Sequence, residues 1–174
     1  MKNKDFPRRD CVTPQRSANI DKRISLQTYN IACLDKSWIW LNDPEIRELT
    51  MTPVFTRENQ IEFYEQLTQR TDYLIWGVIL DKSELIGAAG LKNHRGTLAE
   101  YWGFIGEKKH WNKGLGRQLI ETVEQQARDF DFTDLDLKVS ASNQRAIGLY
   151  EKVGFVIDRH RSNNLYLHML KRNI

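Results

Sequence analysis

The segment Glu107–Arg117 combines residue types that suit the binding of a phosphate group. It contains three lysines, and Gly114 and Gly116 stand where apolar spacing predicts that a helix begins. Free amides at a helix N-terminus and the helix dipole favour an anion there, and glycines let the anion approach the backbone. We therefore predict a phosphate site, although a Gly-x-Gly at a helix start is on its own more often a simple tight turn.

Two common phosphate-binding motifs do not fit this segment. No Gly-Lys-Ser or Gly-Lys-Thr follows, as a P-loop would require. The third glycine of a dinucleotide fingerprint is missing, and the strands before the turn are predicted to form a meander rather than a βαβ unit. The turn alone therefore does not identify a ligand.

A second segment, Asn143–Phe155, begins about 27 residues after Gly116 and reads Asn-Gln-Arg-Ala-Ile-Gly-Leu-Tyr-Glu-Lys-Val-Gly-Phe. It resembles the Asn-x-x-Ala-x-x-Leu-Tyr-x-x-x-Gly-Phe motif of the GNAT N-acetyltransferases. The segment Trp111–Arg117 is similar to the same family's pyrophosphate motif, Gln/Arg-x-x-Gly-x-Gly/Ala. Trp111 departs from the usual Gln or Arg, and Trp-x-Lys-Gly is common in the branch that resembles ribosomal-protein and amino-sugar acetyltransferases. The resemblance covers roughly residues 23–172.

The resemblance implies acetyl-CoA as co-substrate and a set of residues that bind it. The third central strand would splay from its neighbour and offer free amides to pantetheine at Phe104, Ile105 and Gly106. Asn143 is expected to cap a helix, and the family adds a contact with the coenzyme. The backbone that would hold the pyrophosphate belongs to Trp111, Asn112, Lys113, Gly114, Leu115, Gly116 and Arg117.

Two residues are candidates for proton transfer. Tyr150 falls where the family keeps a tyrosine facing the coenzyme sulfur, and a phenol is protonated at neutral pH and can donate; in isolation it would be interpreted as helix packing. Glu100 shares a strand face with Trp102 and Phe104 and is the candidate general base, with a solvated or cross-strand-paired carboxylate as the alternative. His94 and His110 are lesser candidates on predicted loops.

The sequence says less about the amine that accepts the acetyl group than about acetyl-CoA, the donor. The stretch Trp38–Ile46 resembles the Trp-Leu-Asn-Asp-Pro-Glu segment of the ribosomal-protein, antibiotic and nucleotide-sugar branch, which favours a small-molecule amine such as an amino sugar, an antibiotic or a polyamine-like compound. Trp38 and Trp40 cannot share a helix face, which is compatible with one in the core and the other at a rim. Packing of both residues and stacking on the substrate are the two alternatives for their role. A protein N-terminal acetyltransferase and a non-catalytic acetyl-CoA-binding regulatory domain remain alternatives.

Periodicity predicts the elements that would position these residues. Strands are expected at 23–29, 73–80, 84–91, 97–105, 135–139, 155–160 and 165–170. Helices are expected at 31–41, 57–70, 114–129 and 143–153, with a further short helix that begins at Pro44 after Asp43 as its cap. The third helix should turn Ile61, Tyr64 and Leu67 inward. This order is an α+β pattern around one mixed, mostly antiparallel sheet of six or seven strands flanked by about four helices. The resemblance to the GNAT family adds the expectation of a splayed cofactor cleft. Pairing of closing strands between subunits, as in a homodimer, is a further expectation from the family.

Composition predicts one soluble domain over residues 23–174, preceded by a flexible basic tail at 1–22. Seven Lys/Arg and three Asp/Glu give residues 1–23 a charge of +4, which leaves −1 for the rest of a chain of net charge +3. We therefore expect no nucleic-acid partner. We expect a cytoplasmic protein without membrane contact, because the sequence shows no leader and no apolar run of about 20 residues. We also expect no disulfide and no metal site, because the only cysteines are Cys11 and Cys33.

Overall fold

A computed structural model describes residues 23–174; the predicted tail at 1–22, with Cys11, lies outside the described residues. The elements follow the predicted order closely, because hydrophobic periodicity and capping residues are strong along this chain. The strands are β1 (Ile24–Thr28), β2 (Tyr73–Leu80), β3 (Glu84–Arg95), β4 (Leu98–Ile105), β5 (Asp134–Ser140), β6 (Val156–Asp158) and β7 (Tyr166–Arg172). The α-helices are α1 (Ile31–Leu41), α2 (Pro44–Thr50), α3 (Arg57–Gln66), α4 (Leu115–Asp129) and α5 (Gln144–Lys152).

One seven-stranded sheet has the order β1-β2-β3-β4-β5-β7-β6. Every neighbouring pair is antiparallel except β4 and β5, which pair in parallel between Leu98–Glu100 and Asp134–Asp136. The predicted mixed, mostly antiparallel sheet and the meander of β2, β3 and β4 are confirmed. Because the parallel pairing ends at Glu100, the remainder of β4 has a free edge on that side.

Helices cover both faces of the sheet. Phe104 contacts Trp40 of α1, with ring centroids 6.1 Å apart, whereas Tyr101 contacts Tyr150 of α5 at 6.2 Å. Strand residues at odd and even positions point to opposite faces, so α1 and α5 lie on opposite sides of β4. The predicted apolar stripe of α4 is buried as expected, at Leu115, Leu119, Ile120, Val123 and Ala127.

The inward face of α3 differs from the prediction. Ile61 is 39% exposed, and Gln60 is buried in its place and donates from Nε2 to the carbonyl of Leu34 at 3.1 Å. The helix begins at Arg57 with a capping box between Thr56 and Asn59. A helix that begins at Arg57 turns the side chain of Gln60 toward α1. There its hydrogen bond to Leu34 offsets the free energy that burial of the amide costs.

Three further features of residues 23–174 concern membrane spans, metal-binding groups and the cysteine thiol. No helix there is long and apolar enough to span a bilayer. No group of three or more His, Cys, Asp or Glu side chains in that range is arranged to hold a metal ion. Cys33 is a free, buried thiol whose sulfur accepts from Nε2 of Gln27 at 3.3 Å.

Candidate active site

A cleft of about 910 Å³ opens where β4 and β5 separate. The amide of Gly106 donates to the carbonyl of Ile86 on β3 at 2.7 Å. Main-chain groups alternate sides along a strand, so those of Tyr101, Gly103 and Ile105 face the open edge. Of the three predicted pantetheine contacts, Ile105 therefore presents its backbone to the cleft. Phe104 lines the cleft as well, and the Gly106 amide is used by β3.

The segment Trp111–Arg117, called the glycine turn below, forms one end of the cleft. Gly114 has φ +76° and caps α4 without a side-chain hydrogen bond. The first amides of α4 therefore have no intrahelical acceptor, and Leu115 and Gly116 line the cleft. A Cβ on Gly116 would lie 2.9 Å from Cδ2 of Leu149, so glycine allows α4 and α5 to approach there. This is the backbone geometry of an anion site.

Trp111 has a structural role in this turn. Its indole Nε1 donates to the carbonyl of Ile105 at 2.7 Å, which joins the turn to the free edge of β4. The guanidinium of Arg145 lies 4.4 Å from the centroid of the Trp111 ring, within cation–π distance. Asn112, at φ +60°, and Arg117 line the cleft, and Lys113 is exposed outside the lining residues.

The loop before the turn, Glu107–His110, is held by ion pairs to α1 and α2. Lys36 binds Glu107 at 2.9 Å, and Lys108 binds Asp43 at 2.7 Å. These lysines lower the pKa of the Glu107 and Asp43 carboxyls, because each stabilises the ionised form. Sequence reasoning missed these contacts, since the partners stand about 65 to 71 residues apart (108 − 43 and 107 − 36) and no local spacing connects them.

The two candidate histidines occupy different surroundings. His110 lines the cleft, but its Nε2 lies 3.1 Å from Glu84, the residue that also binds Lys109. The ring of His94 packs against Phe132 at 4.7 Å, and its Nε2 is buried without a partner among the described residues. The structure therefore does not bring His94 to the cleft.

Tyr150 lies in the cleft wall, between the glycine turn and the open part of β4. Its ring packs against Tyr101 and, at 5.8 Å, against Phe155. Its hydroxyl has no hydrogen-bond partner among the described residues. Burial raises the pKa of Tyr150 to about 12, because a phenolate would be poorly solvated there. The phenol therefore keeps its proton at neutral pH and is available as a donor.

Asn143 is found at the start of α5, where its side chain accepts from the amide of Ala146 at 3.1 Å. The capping role is thus confirmed. Asn143 also lines the cleft, and its side-chain amide nitrogen remains available as a donor toward that space.

Glu100 is not among the residues that line the cleft. Its carboxylate lies 3.3 Å from Nζ of Lys92, its cross-strand neighbour, and accepts from Nδ2 of Asn93 at 2.8 Å. These contacts correspond to the cross-strand pairing that the sequence left open as the alternative to a base.

The two α1 tryptophans separate as expected from their spacing. Trp40 is 5% exposed, packs on Phe104 and donates from Nε1 to Glu107 at 3.3 Å. Trp38 packs edge-on against Phe55 at 5.4 Å and is not a cleft residue. Trp40 is therefore a core residue that supports the loop before the glycine turn.

Comparison with known proteins agrees with this geometry. The model of the Acetyltransferase (GNAT) family matches residues 37–155, about two thirds of the chain. The chain belongs to the GNAT family. It is an acetyl-CoA-dependent N-acetyltransferase.

The individual relatives share either low sequence identity with this chain or a match over a short segment. The uncharacterized N-acetyltransferase YycN of Bacillus subtilis is 27% identical over 123 residues, which cover 69% of this chain and 74% of YycN. The probable N-acetyltransferase family 8 member 5 of Mus musculus is 43% identical over 47 residues, 27% of this chain. That match spans only about a fifth of the mouse protein, at 21% of its length.

Solved structures share the fold at low identity. The spermidine N-acetyltransferase of Vibrio cholerae, in complex with CoA and spermine, has a TM-score of 0.76 at 21% identity and covers 88% of this chain and 97% of its own. AAC(6')-Ib, in complex with paromomycin and acetyl-CoA, has a TM-score of 0.74 at 20% identity and covers 86% and 93%. The predicted GNAT fold is confirmed.

Proposed function

We propose that this GNAT enzyme acetylates a primary amine of a small molecule by direct attack of the amine on the thioester. The observation that carries the proposal is a single cleft bounded by the open edge of β4, the glycine turn and the phenol of Tyr150. These are the binding, positioning and proton-donating parts that the reaction needs. The co-substrate supplies the activated acetyl group.

In this proposal the glycine turn binds the pyrophosphate through the amides that begin α4. The side chain of Arg145, which lines the cleft, adds positive charge near that anion. Arg117 also lines the cleft, but its charge is balanced by Glu121 at 2.7 Å. The main-chain groups of Gly103 and the amide of Ile105, whose carbonyl already accepts from Trp111, orient the pantetheine arm and the acetyl carbonyl along β4. The acetyl group is then held near Tyr150.

Transfer forms a bond between the amine nitrogen and the carbonyl carbon and breaks the bond between that carbon and sulfur. Tyr150 gives its proton to the departing thiolate and then regains a proton from solvent, while the amine nitrogen releases its own proton to solvent. Because burial raises the pKa of Tyr150 to about 12, the residue stays protonated throughout the neutral range.

Two routes can supply the neutral amine that the reaction needs: a general base, or an amine that binds already neutral. Glu100 stays a prediction, and its pairing with Lys92 and Asn93 outside the cleft lining favours an amine that binds already neutral. The profile of kcat/KM against pH for Glu100→Gln decides between them: loss of the acidic limb supports Glu100 as base, and a retained limb excludes it.

The proposal is tested by thiol release from acetyl-CoA in the presence of a panel of amines, with the products identified by mass. Turnover of small primary amines is the expected result. Turnover restricted to peptide N-termini would instead favour the protein N-terminal alternative. Tight acetyl-CoA binding with no turnover on a wide panel would favour a regulatory domain and contradict the proposal.

A further inference from the structure

The half of the cleft that faces away from the glycine turn has an aromatic wall. Phe63 and Tyr73 are 5.5 Å apart, and Tyr73 and Trp102 are 5.9 Å apart, so the rings form a continuous surface from α3 to β4. Such a surface binds an apolar or aromatic body by burial and ring packing. The aromatic residues that line this half are Tyr29, Phe55, Phe63, Tyr73, Trp102 and Phe104.

The charges along the cleft have one sign. Among the described residues that line it, none is Asp or Glu, whereas four are Lys or Arg. The charge of Arg117 is balanced by Glu121 at 2.7 Å. Arg145 lies at the glycine turn, where the coenzyme phosphates would neutralise it. The charge of Lys92 is balanced by Glu100 at 3.3 Å.

Lys138 is the remaining lysine. It stands on β5 two residues after Asp136, and by the parallel register it shares the sheet face of Trp102 across the opening. No carboxylate of the described residues lies within ion-pair distance of its ammonium, which sits 3.6 Å from the centroid of the Tyr166 ring. Lys138 is therefore a cation at the cleft that the described residues leave without an anion.

The surroundings of Lys138 are also electropositive. The buried carboxylate of Asp136 binds two guanidinium groups, Arg95 at 2.9 Å and Arg161 at 2.7 Å, which leaves a positive excess there. Burial, and after it the charges of Arg161 and Lys138, lower the pKa of His168, the cross-strand neighbour of Lys138, whereas the carboxylates of Asp136 and Glu100 act in the opposite direction. A positive potential at this mouth of the cleft attracts anions and repels polycations.

We infer that the acceptor is an amine on an aromatic or otherwise apolar body that also carries a carboxylate, as in an aromatic α-amino acid, and that Lys138 pairs with this carboxylate. This inference rests on the proposed amine acetylation and narrows its substrate class. A polyamine or an aminoglycoside would bring several ammonium groups into a cleft whose described lining offers no carboxylate. Each such group would lose hydration without gaining a partner.

The test compares kcat/KM for L-phenylalanine, phenethylamine, spermidine and kanamycin in the thiol-release assay. We expect phenylalanine to be the best of the four. Lys138→Met should lower kcat/KM for phenylalanine about fivefold, the upper range for an exposed ion pair, and change that for phenethylamine less than about twofold. Lys152→Met, an exposed lysine at the end of α5 away from the cleft, is the matched control and should leave both unchanged.

The outcomes separate this inference from the proposed function. Preference for spermidine or kanamycin, or an equal effect of Lys138→Met on phenylalanine and phenethylamine, overturns the inference and leaves amine acetylation standing. Absence of turnover with every amine, despite measured acetyl-CoA binding, overturns the proposed function itself and the inference with it.

Discussion

Replacement of Trp111 by Phe tests whether the indole N–H holds the glycine turn in its binding geometry. The substitution removes the 2.7 Å hydrogen bond to the Ile105 carbonyl and keeps a ring under the Arg145 guanidinium. A hydrogen bond of this kind contributes about 0.5 to 1.5 kcal/mol net. Without it the free turn samples other conformations, and acetyl-CoA binding must order it again.

Because about 1.4 kcal/mol corresponds to a tenfold change in an equilibrium constant, the Kd for acetyl-CoA should rise between about twofold and tenfold. Isothermal titration calorimetry measures it directly. Trp38→Phe is the control, because Trp38 lies off the cleft and its indole donates to no described residue. An unchanged Kd in Trp111→Phe, or equal weakening in both variants, would refute the anchoring role.

Two further predictions concern the backbone and the loop beside the turn. In Gly116→Ala the new Cβ would lie 2.9 Å from Cδ2 of Leu149, so Leu149 must shift, and the Kd for acetyl-CoA should rise about twofold to tenfold. Gly148→Ala, with open space at its Cβ, should leave the Kd unchanged and stabilise the helix by about 0.5 to 1 kcal/mol. Equal Kd values in the two variants would contradict the close approach of α4 and α5 at Gly116. Lys36 depresses the pKa of Glu107 in the folded state. This pair therefore stabilises the fold at neutral pH, and its contribution is lost as pH falls through that lowered pKa. The Tm difference between wild type and Glu107→Gln should therefore shrink between pH 6 and pH 3, and a difference that stays constant would show that the ion pair is not its source.

Most of the fold was predictable because each signal is local. The stripe of α4 repeats at helical spacing over four turns, and the caps at Asp43 and Asn143 are formed as the residue types suggest. Ile61 was assigned to the wrong face because α3 carries polar and apolar residues in nearly every direction. Its phase is set by the start at Arg57 and by the burial of Gln60 against Leu34, which is a tertiary contact.

The site was predictable only where a motif is contiguous. The glycine turn and α5 are single segments, so their residues could be named from the sequence. The partners of Glu107 and Lys108 on α1 and α2, and the neighbours that pair with Glu100, depend on how strands and helices meet. Which backbone groups of β4 face the cleft depends on the alternation set by β3, and that register is a property of the assembled sheet.

The role of Tyr150 is the most direct test of the account. The measurement is kcat for acetyl transfer, together with the Kd for acetyl-CoA, in wild type and Tyr150→Phe, with Tyr64→Phe removing a phenol outside the cleft as control. Loss of a general acid lowers the rate about 100-fold or more, so the account predicts that kcat falls by this factor in Tyr150→Phe while the Kd stays within about twofold. A kcat equal to that of wild type would contradict it.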